Sequence, residues 1–169
     1  MRLPIFCLVA VATALVGCGQ DKTVDKTIKR PGEPDVTFVA GDDPQMKKAI
    51  EKARATVADF IKALQEPKAA QSGFAIKKAF NDGKHTEHMW LSPVTYDGKK
   101  LKGTVNNEPV NLTNVKLGAK IAVDPAEISD WMYIDDGKLV GGYTIRRLRD
   151  TLGPEERAKF DKTLPFKID

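Results

Sequence analysis

Cysteine is almost absent from this chain. Two occur in 169 residues, Cys7 and Cys18, and both lie in the first 18 residues of the sequence. No disulfide framework, thiolate metal site or cysteine nucleophile can therefore form in the bulk of the chain, whose stability must come from packing. Histidine is equally sparse, with two residues, His85 and His88. A long apolar run is also missing. Ile5 to Leu15 is apolar apart from Thr13, about half of the ~20 residues that a membrane-spanning helix needs. Charge of one sign is not in great excess either. Lys plus Arg number 27 against 23 Asp plus Glu, a formal charge of +4. No basic run carries interleaved aromatics, so nucleic acid is excluded as the expected partner.

The short apolar run nevertheless has a meaning. It follows Arg2 and closes on Leu15-Val16-Gly17-Cys18. One positive charge, an apolar stretch of signal-peptide length, small residues and then a cysteine form the pattern of a bacterial lipoprotein signal peptide. Residues 1–17 are expected to be removed, leaving Cys18 to carry lipid. Each buried CH₂ contributes about 0.8 kcal/mol, so two or three chains would anchor the protein durably in membrane lipid. The expected location is the cell envelope, facing the periplasm, and Gly19 after the cysteine leans towards the outer membrane. Residues 18–35 are polar, with Pro31-Gly32-Glu33-Pro34 at their end, and read as a flexible tether. Residues 36–169 are enough for one domain.

Within that domain, Val36-Thr37-Phe38-Val39 suits a first short strand. Asp43-Pro44 then starts the clearest element, a helix to about Gln65 with Asp43 as N-cap. Met46, Ala49, Ile50, Ala53, Val57, Phe60, Ile61 and Leu64 recur at three- and four-residue steps and form one apolar stripe. The period then changes to two. Phe74, Ile76 and Phe80 share a strand face on which Lys78 is a misfit that a bulge would relieve. Further strands are expected over Thr86–Pro93, Leu101–Val105, Ala119–Val123, Ile128–Ile134 and Leu139–Val140. Thr144–Leu152 and Pro154–Lys162 read as two short helices split by Gly153-Pro154. The expected architecture is α+β: one long amphipathic helix on a curved antiparallel sheet, with short C-terminal helices.

Three segments could carry chemistry. His85-Thr86-Glu87-His88-Met89-Trp90 resembles a zinc-protease helix in composition, but as a strand it turns His85 and His88 to opposite faces. No metal or other cofactor is expected. His88 and Trp90 share one face, and Glu87 and Met89 share the other. Ser129-Asp130-Trp131-Met132-Tyr133 puts Trp131 and Tyr133 on one face. If the two strands were neighbours, His88, Trp90, Trp131 and Tyr133 could line one concave surface, or the aromatics could simply be core. Gly141-Gly142-Tyr143-Thr144 suits a tight turn into a helix, with Thr144 as cap, and matches no phosphate-binding fingerprint. Ser129 lies beside Asp130 without a nucleophile elbow, so no catalytic residue is assigned.

Taken together, Met46, Ala49, Ala53-Arg54, Phe60, Glu87-His88-Met89-Trp90, Gly103, Asn106, Pro109, Asp130-Trp131-Met132-Tyr133 and Gly141-Gly142-Tyr143-Thr144 resemble the YegJ-like family of bacterial proteins, classed as a domain of unknown function. The resemblance spans about residues 36–150. It implies a compact α+β domain and brings no catalytic residues with it. The leading expectation is a lipid-anchored, non-enzymatic module for an envelope protein or cell-wall partner. Two alternatives stand beside it: a hydrolase using His88 as base with Glu87 or Asp130, and a carrier of a small ligand.

Overall fold

The structure, a computed structural model, describes Val24–Arg30, Glu33–Val39 and residues 43–169. Cys18 and the apolar segment before it lie outside these residues. Strands β1 (Val24–Arg30) and β2 (Glu33–Val39) pair antiparallel in a two-stranded sheet. The expected strand at Val36–Val39 falls in β2, and β1 occupies part of the stretch expected to be an irregular tether.

The rest is an α+β assembly, as expected. Helices α1 (Pro44–Ala55) and α2 (Val57–Gln65) precede strands β3 (Gln71–Asn81), β4 (Thr86–Tyr96), β5 (Leu101–Val105) and β6 (Lys120–Val123). A 3₁₀ turn at Pro125–Glu127 leads into β7 (Ile128–Asp135) and β8 (Lys138–Gly141). Helices α3 (Tyr143–Thr151) and α4 (Pro154–Thr163) follow. The six strands form one antiparallel sheet in the order β6-β5-β4-β3-β7-β8. Successive strands pair except where the chain returns from β6, at one edge, to lay β7 against β3. At β8, the other edge, Lys167 forms a parallel bridge with Lys138.

The single long helix is corrected to two. The ladder breaks at Thr56, whose φ of −112° and ψ of 10° are not helical. Trp131 supplies the reason. Its indole Nε1 donates to the Ala53 carbonyl at 2.9 Å, the oxygen that Val57 N–H would take in a continuous helix. A side chain inserted into the i→i−4 ladder bends a helix there. Thr56 closes the end of α1, with its N–H and Oγ1 both donating to the Lys52 carbonyl.

The expected alternation on β4 holds. Glu87, Met89 and Leu91 are buried, whereas His88 is exposed and Trp90 half-buried. The core joins Phe60, Ile76, Met89, Leu91, Leu101, Val105, Val123, Ile128 and Trp131. Leu112 and Val115 enter it from the loop after β5. Glu87 ties that loop down, its carboxylate accepting from the backbone N–H groups of Val110 (2.8 Å) and Asn111 (2.5 Å). The Lys78 misfit is met by a register shift in the β3–β7 pairing, where Lys77 opposes Asp130 and Lys78 opposes Ile128, leaving Ser129 as the extra residue. Lys78 reaches Glu127 across this bulge at 2.5 Å.

Candidate functional site

Cross-strand register decides which candidate residues meet. Directly opposed residues share a face of the sheet. Ile76 opposes Leu91 on β4 and Trp131 on β7, forming one row. Lys77 opposes Trp90 and Asp130, forming the next row on the other face. The surface imagined from His88, Trp90, Trp131 and Tyr133 is therefore not assembled. Strand β3 separates β4 from β7, and alternation sends Trp131 and Tyr133 to the face opposite His88 and Trp90.

Trp131 is a core residue, 3% exposed. Its ring lies 5.5 Å from Phe60, 6.2 Å from Tyr133 and 5.7 Å from Tyr143, the last edge-on. Tyr133 stacks on Phe74 at 5.0 Å. The Tyr143 hydroxyl donates to Thr56 Oγ1 at 3.2 Å, and its ring carries the Lys52 ammonium 5.1 Å from its centre.

Asp130 is fully buried and builds the start of α3. Its Oδ1 accepts from Trp131 N (2.9 Å) and Tyr143 N (3.1 Å), and its Oδ2 accepts from Thr144 N (2.8 Å) and Thr144 Oγ1 (2.6 Å). Thr144 is therefore not the helix cap. The cap position is Gly142, which has no side chain to offer, and the acceptor comes from β7. Gly141 and Gly142 both have positive φ, 72° and 61°, and a Cβ on Gly141 would collide with the Trp131 backbone and ring. Only glycine permits this close turn. The sequence signal for the paired glycines was visible, but the distant carboxylate cap was not.

Lys77 is the centre of this row, and His88, opposite Ala79, lies on the same face. Lys77 Nζ donates to Thr144 Oγ1 at 3.3 Å and lies 5.4 Å from the Trp90 ring centre. Burial lowers the Lys77 pKa while the Asp130 charge opposes it; burial likewise raises Asp130 against its hydrogen bonds and Lys77. His88 Nδ1 meets Ser129 Oγ at 2.8 Å. Burial, then the positive charges of Lys77 and Arg54, hold the His88 pKa down at about 4. The residue keeps more than a third of its area in water, which moderates the burial contribution and leaves the two cations as the firmer cause. Arg54, at the end of α1, is fixed by Nε donating to the Ile128 carbonyl at 2.9 Å. Sequence reading missed Arg54 and Lys77 as site residues; strand register brings Lys77 to this face, and the Ile128 carbonyl holds Arg54 there. The other histidine, His85, sits on the turn, 3.7 Å from Asp82.

The chain matches, over residues 43–168, the family described as "Uncharacterized protein conserved in bacteria (DUF2314)". It belongs to this family. The match includes α4, which the YegJ-like resemblance had left outside. The chain is 38% identical to "Uncharacterized protein YegJ" of Escherichia coli K12 over 122 residues, 71% of this chain and 78% of that protein. It is 35% identical over 138 residues to a putative ankyrin repeat protein of Neisseria meningitidis serogroup B, covering 77% of this chain and 54% of that relative. The chain thus spans about half the length of the Neisseria protein. No solved structure matches. Among the described residues, no helix is long and apolar enough to cross a membrane.

Proposed function

We propose that this is a lipid-anchored protein of the bacterial cell envelope whose domain acts by binding rather than by catalysis. The anchoring half of the reading rests on Leu15-Val16-Gly17-Cys18 at the end of a short apolar segment. Gly19 favours the outer membrane, with the domain in the periplasm. The binding half rests on one observation, the setting of His88. A general base works best with a pKa near the working pH. His88 sits near 4, with Lys77 and Arg54 opposing any positive charge on its ring. The carboxylates that could have oriented it are committed elsewhere, Glu87 to the loop backbone and Asp130 to α3.

The Ser129–His88 contact favours a second reading, a hydrolase with Ser129 as nucleophile. Against it, Ser129 is 1% exposed and its partner resists protonation. A carrier has less support. An open groove of ≈ 600 Å³ lined by Ala58, Ile61, Lys62, Gln65, Glu66 and Tyr96 is no enclosed pocket.

Two measurements test the proposal. Palmitate labelling should be lost in Cys18→Ser; label retained in that variant sinks the anchor. Crosslinking in living cells should capture an envelope partner that a folded Arg54→Glu variant loses. Labelling of Ser129 by a fluorophosphonate probe would instead favour the hydrolase.

A further inference from the structure

The binding reading leaves open what the His88 face recognises. Three nitrogen-bearing side chains converge there. Arg54 is held by Nε alone, and among the described residues nothing accepts from its two Nη groups. Lys77 has three donors and one hydrogen-bond acceptor, Thr144 Oγ1 at 3.3 Å. His88 is held at Nδ1 by Ser129, which leaves Nε2 uncommitted. One β7 segment, Ile128-Ser129-Asp130, fixes all three. Ile128 O holds Arg54, Ser129 Oγ holds His88, and Asp130 lies opposite Lys77 in the β3–β7 register.

The neighbouring carboxylate does not compete for these donors. Both Asp130 oxygens are already occupied by Trp131 N, Tyr143 N, Thr144 N and Thr144 Oγ1. Glu127 is drawn to Lys78 across the bulge. Two side chains with free N–H groups, a histidine ring edge and the Trp90 face therefore share this side, and the one carboxylate beside them, Asp130, offsets the Lys77 charge but has no oxygen left for an Arg54 Nη group. Arg54 and Lys77 both place positive charge at the His88 ring, and an oxyanion at that ring would be attracted to both while using the planar fork of the arginine.

We propose that Arg54, Lys77 and His88 form a binding site for a phosphate-type oxyanion, with Trp90 as one wall. This site rests on the binding reading and gives it a ligand chemistry: the partner or small molecule presents a phosphate group to this face. The free donors, two Arg54 Nη groups and Lys77 Nζ, outnumber the two oxygens of a carboxylate and suit a phosphate.

The test uses the full chain in detergent and inorganic phosphate, with sodium chloride at matched ionic strength and sodium acetate as controls. The His88 ring signals and the Trp90 indole signal are followed by NMR. Saturable shifts with phosphate, at least tenfold weaker in Arg54→Met and only partly restored in Arg54→Lys, which keeps the charge and loses the fork, support the site. A linear response that chloride reproduces overturns it, as does saturation with acetate but not phosphate. The wild-type comparison of phosphate with chloride decides the matter even if a variant misfolds. Failure here with a crosslinked partner still lost in Arg54→Glu would reject the phosphate ligand and keep the binding reading.

Discussion

At the scale of single residues, the chain commits most of its chemistry-bearing groups to holding itself together. Asp130 illustrates the cost of removing one. Asp130→Ala strips the acceptor from two helix N–H groups and the Thr144 hydroxyl and leaves Lys77 without its opposing charge, so a loss of more than about 3 kcal/mol is expected in urea unfolding. A change under 1 kcal/mol would show that the cap is dispensable. Trp131→Phe should cost about 1 kcal/mol, because the indole hydrogen bond is lost while Thr56 N still serves the Ala53 carbonyl. His88 gives a pH signature. Its folded pKa of about 4 lies below the ordinary value of 6.5. Between those values the unfolded chain binds more protons, so stability is full above about pH 6.5 and falls as pH drops towards 4. An NMR titration of the ring should have its midpoint near 4; a midpoint at the ordinary value would remove the argument against His88 as a base. In His88→Gln the fall in stability over that window should shrink.

At the scale of elements, the sequence was legible where local pattern and tertiary demand agree. The strand positions over β3 to β8 and the start of α1 follow from period-two alternation, turn residues and the Asp43-Pro44 signal. The Thr56 break was not legible, since the apolar stripe runs unbroken from Met46 to Leu64 and the interrupting atom belongs to Trp131, 78 positions from the carbonyl it engages. Strand order was hidden for the same reason. Nothing local says that β7 lies against β3, so the grouping of His88 with Trp131 failed while that of Lys77, Arg54 and His88 went unseen. The α1 cap carries a further load. Asp43 accepts from Gln45 N at 2.9 Å and from Arg147 Nε at 2.9 Å, joining α1 to α3. An ordinary N-cap contributes about 1 kcal/mol. Asp43→Ala should exceed that, and a double-mutant cycle with Arg147→Gln should return a coupling of at least about 0.5 kcal/mol. Additive effects would mean that the pair is incidental.

At the scale of the whole molecule, α3 joins elements distant in sequence. Arg147 links it to α1, and Arg149 binds both carboxylate oxygens of Asp161 in α4 at 2.7 Å. Arg146 gathers the carbonyls of Leu139, Gly141 and Asp169. Cutting the chain after Gly153 should therefore lower the unfolding midpoint of the rest, and an unchanged midpoint would make α4 an appendage. The borrowed cap of α3 reaches further than stability. A helix that owns its cap can form and fray by itself, but α3 receives its cap only when β7 is in place beside β8. The amide protons of Tyr143 and Thr144 should then exchange with solvent no faster than those in the centre of the sheet, although they stand at a helix end, where exchange is ordinarily quick. The start of α3 is thus only as firm as the strand that lends it the carboxylate.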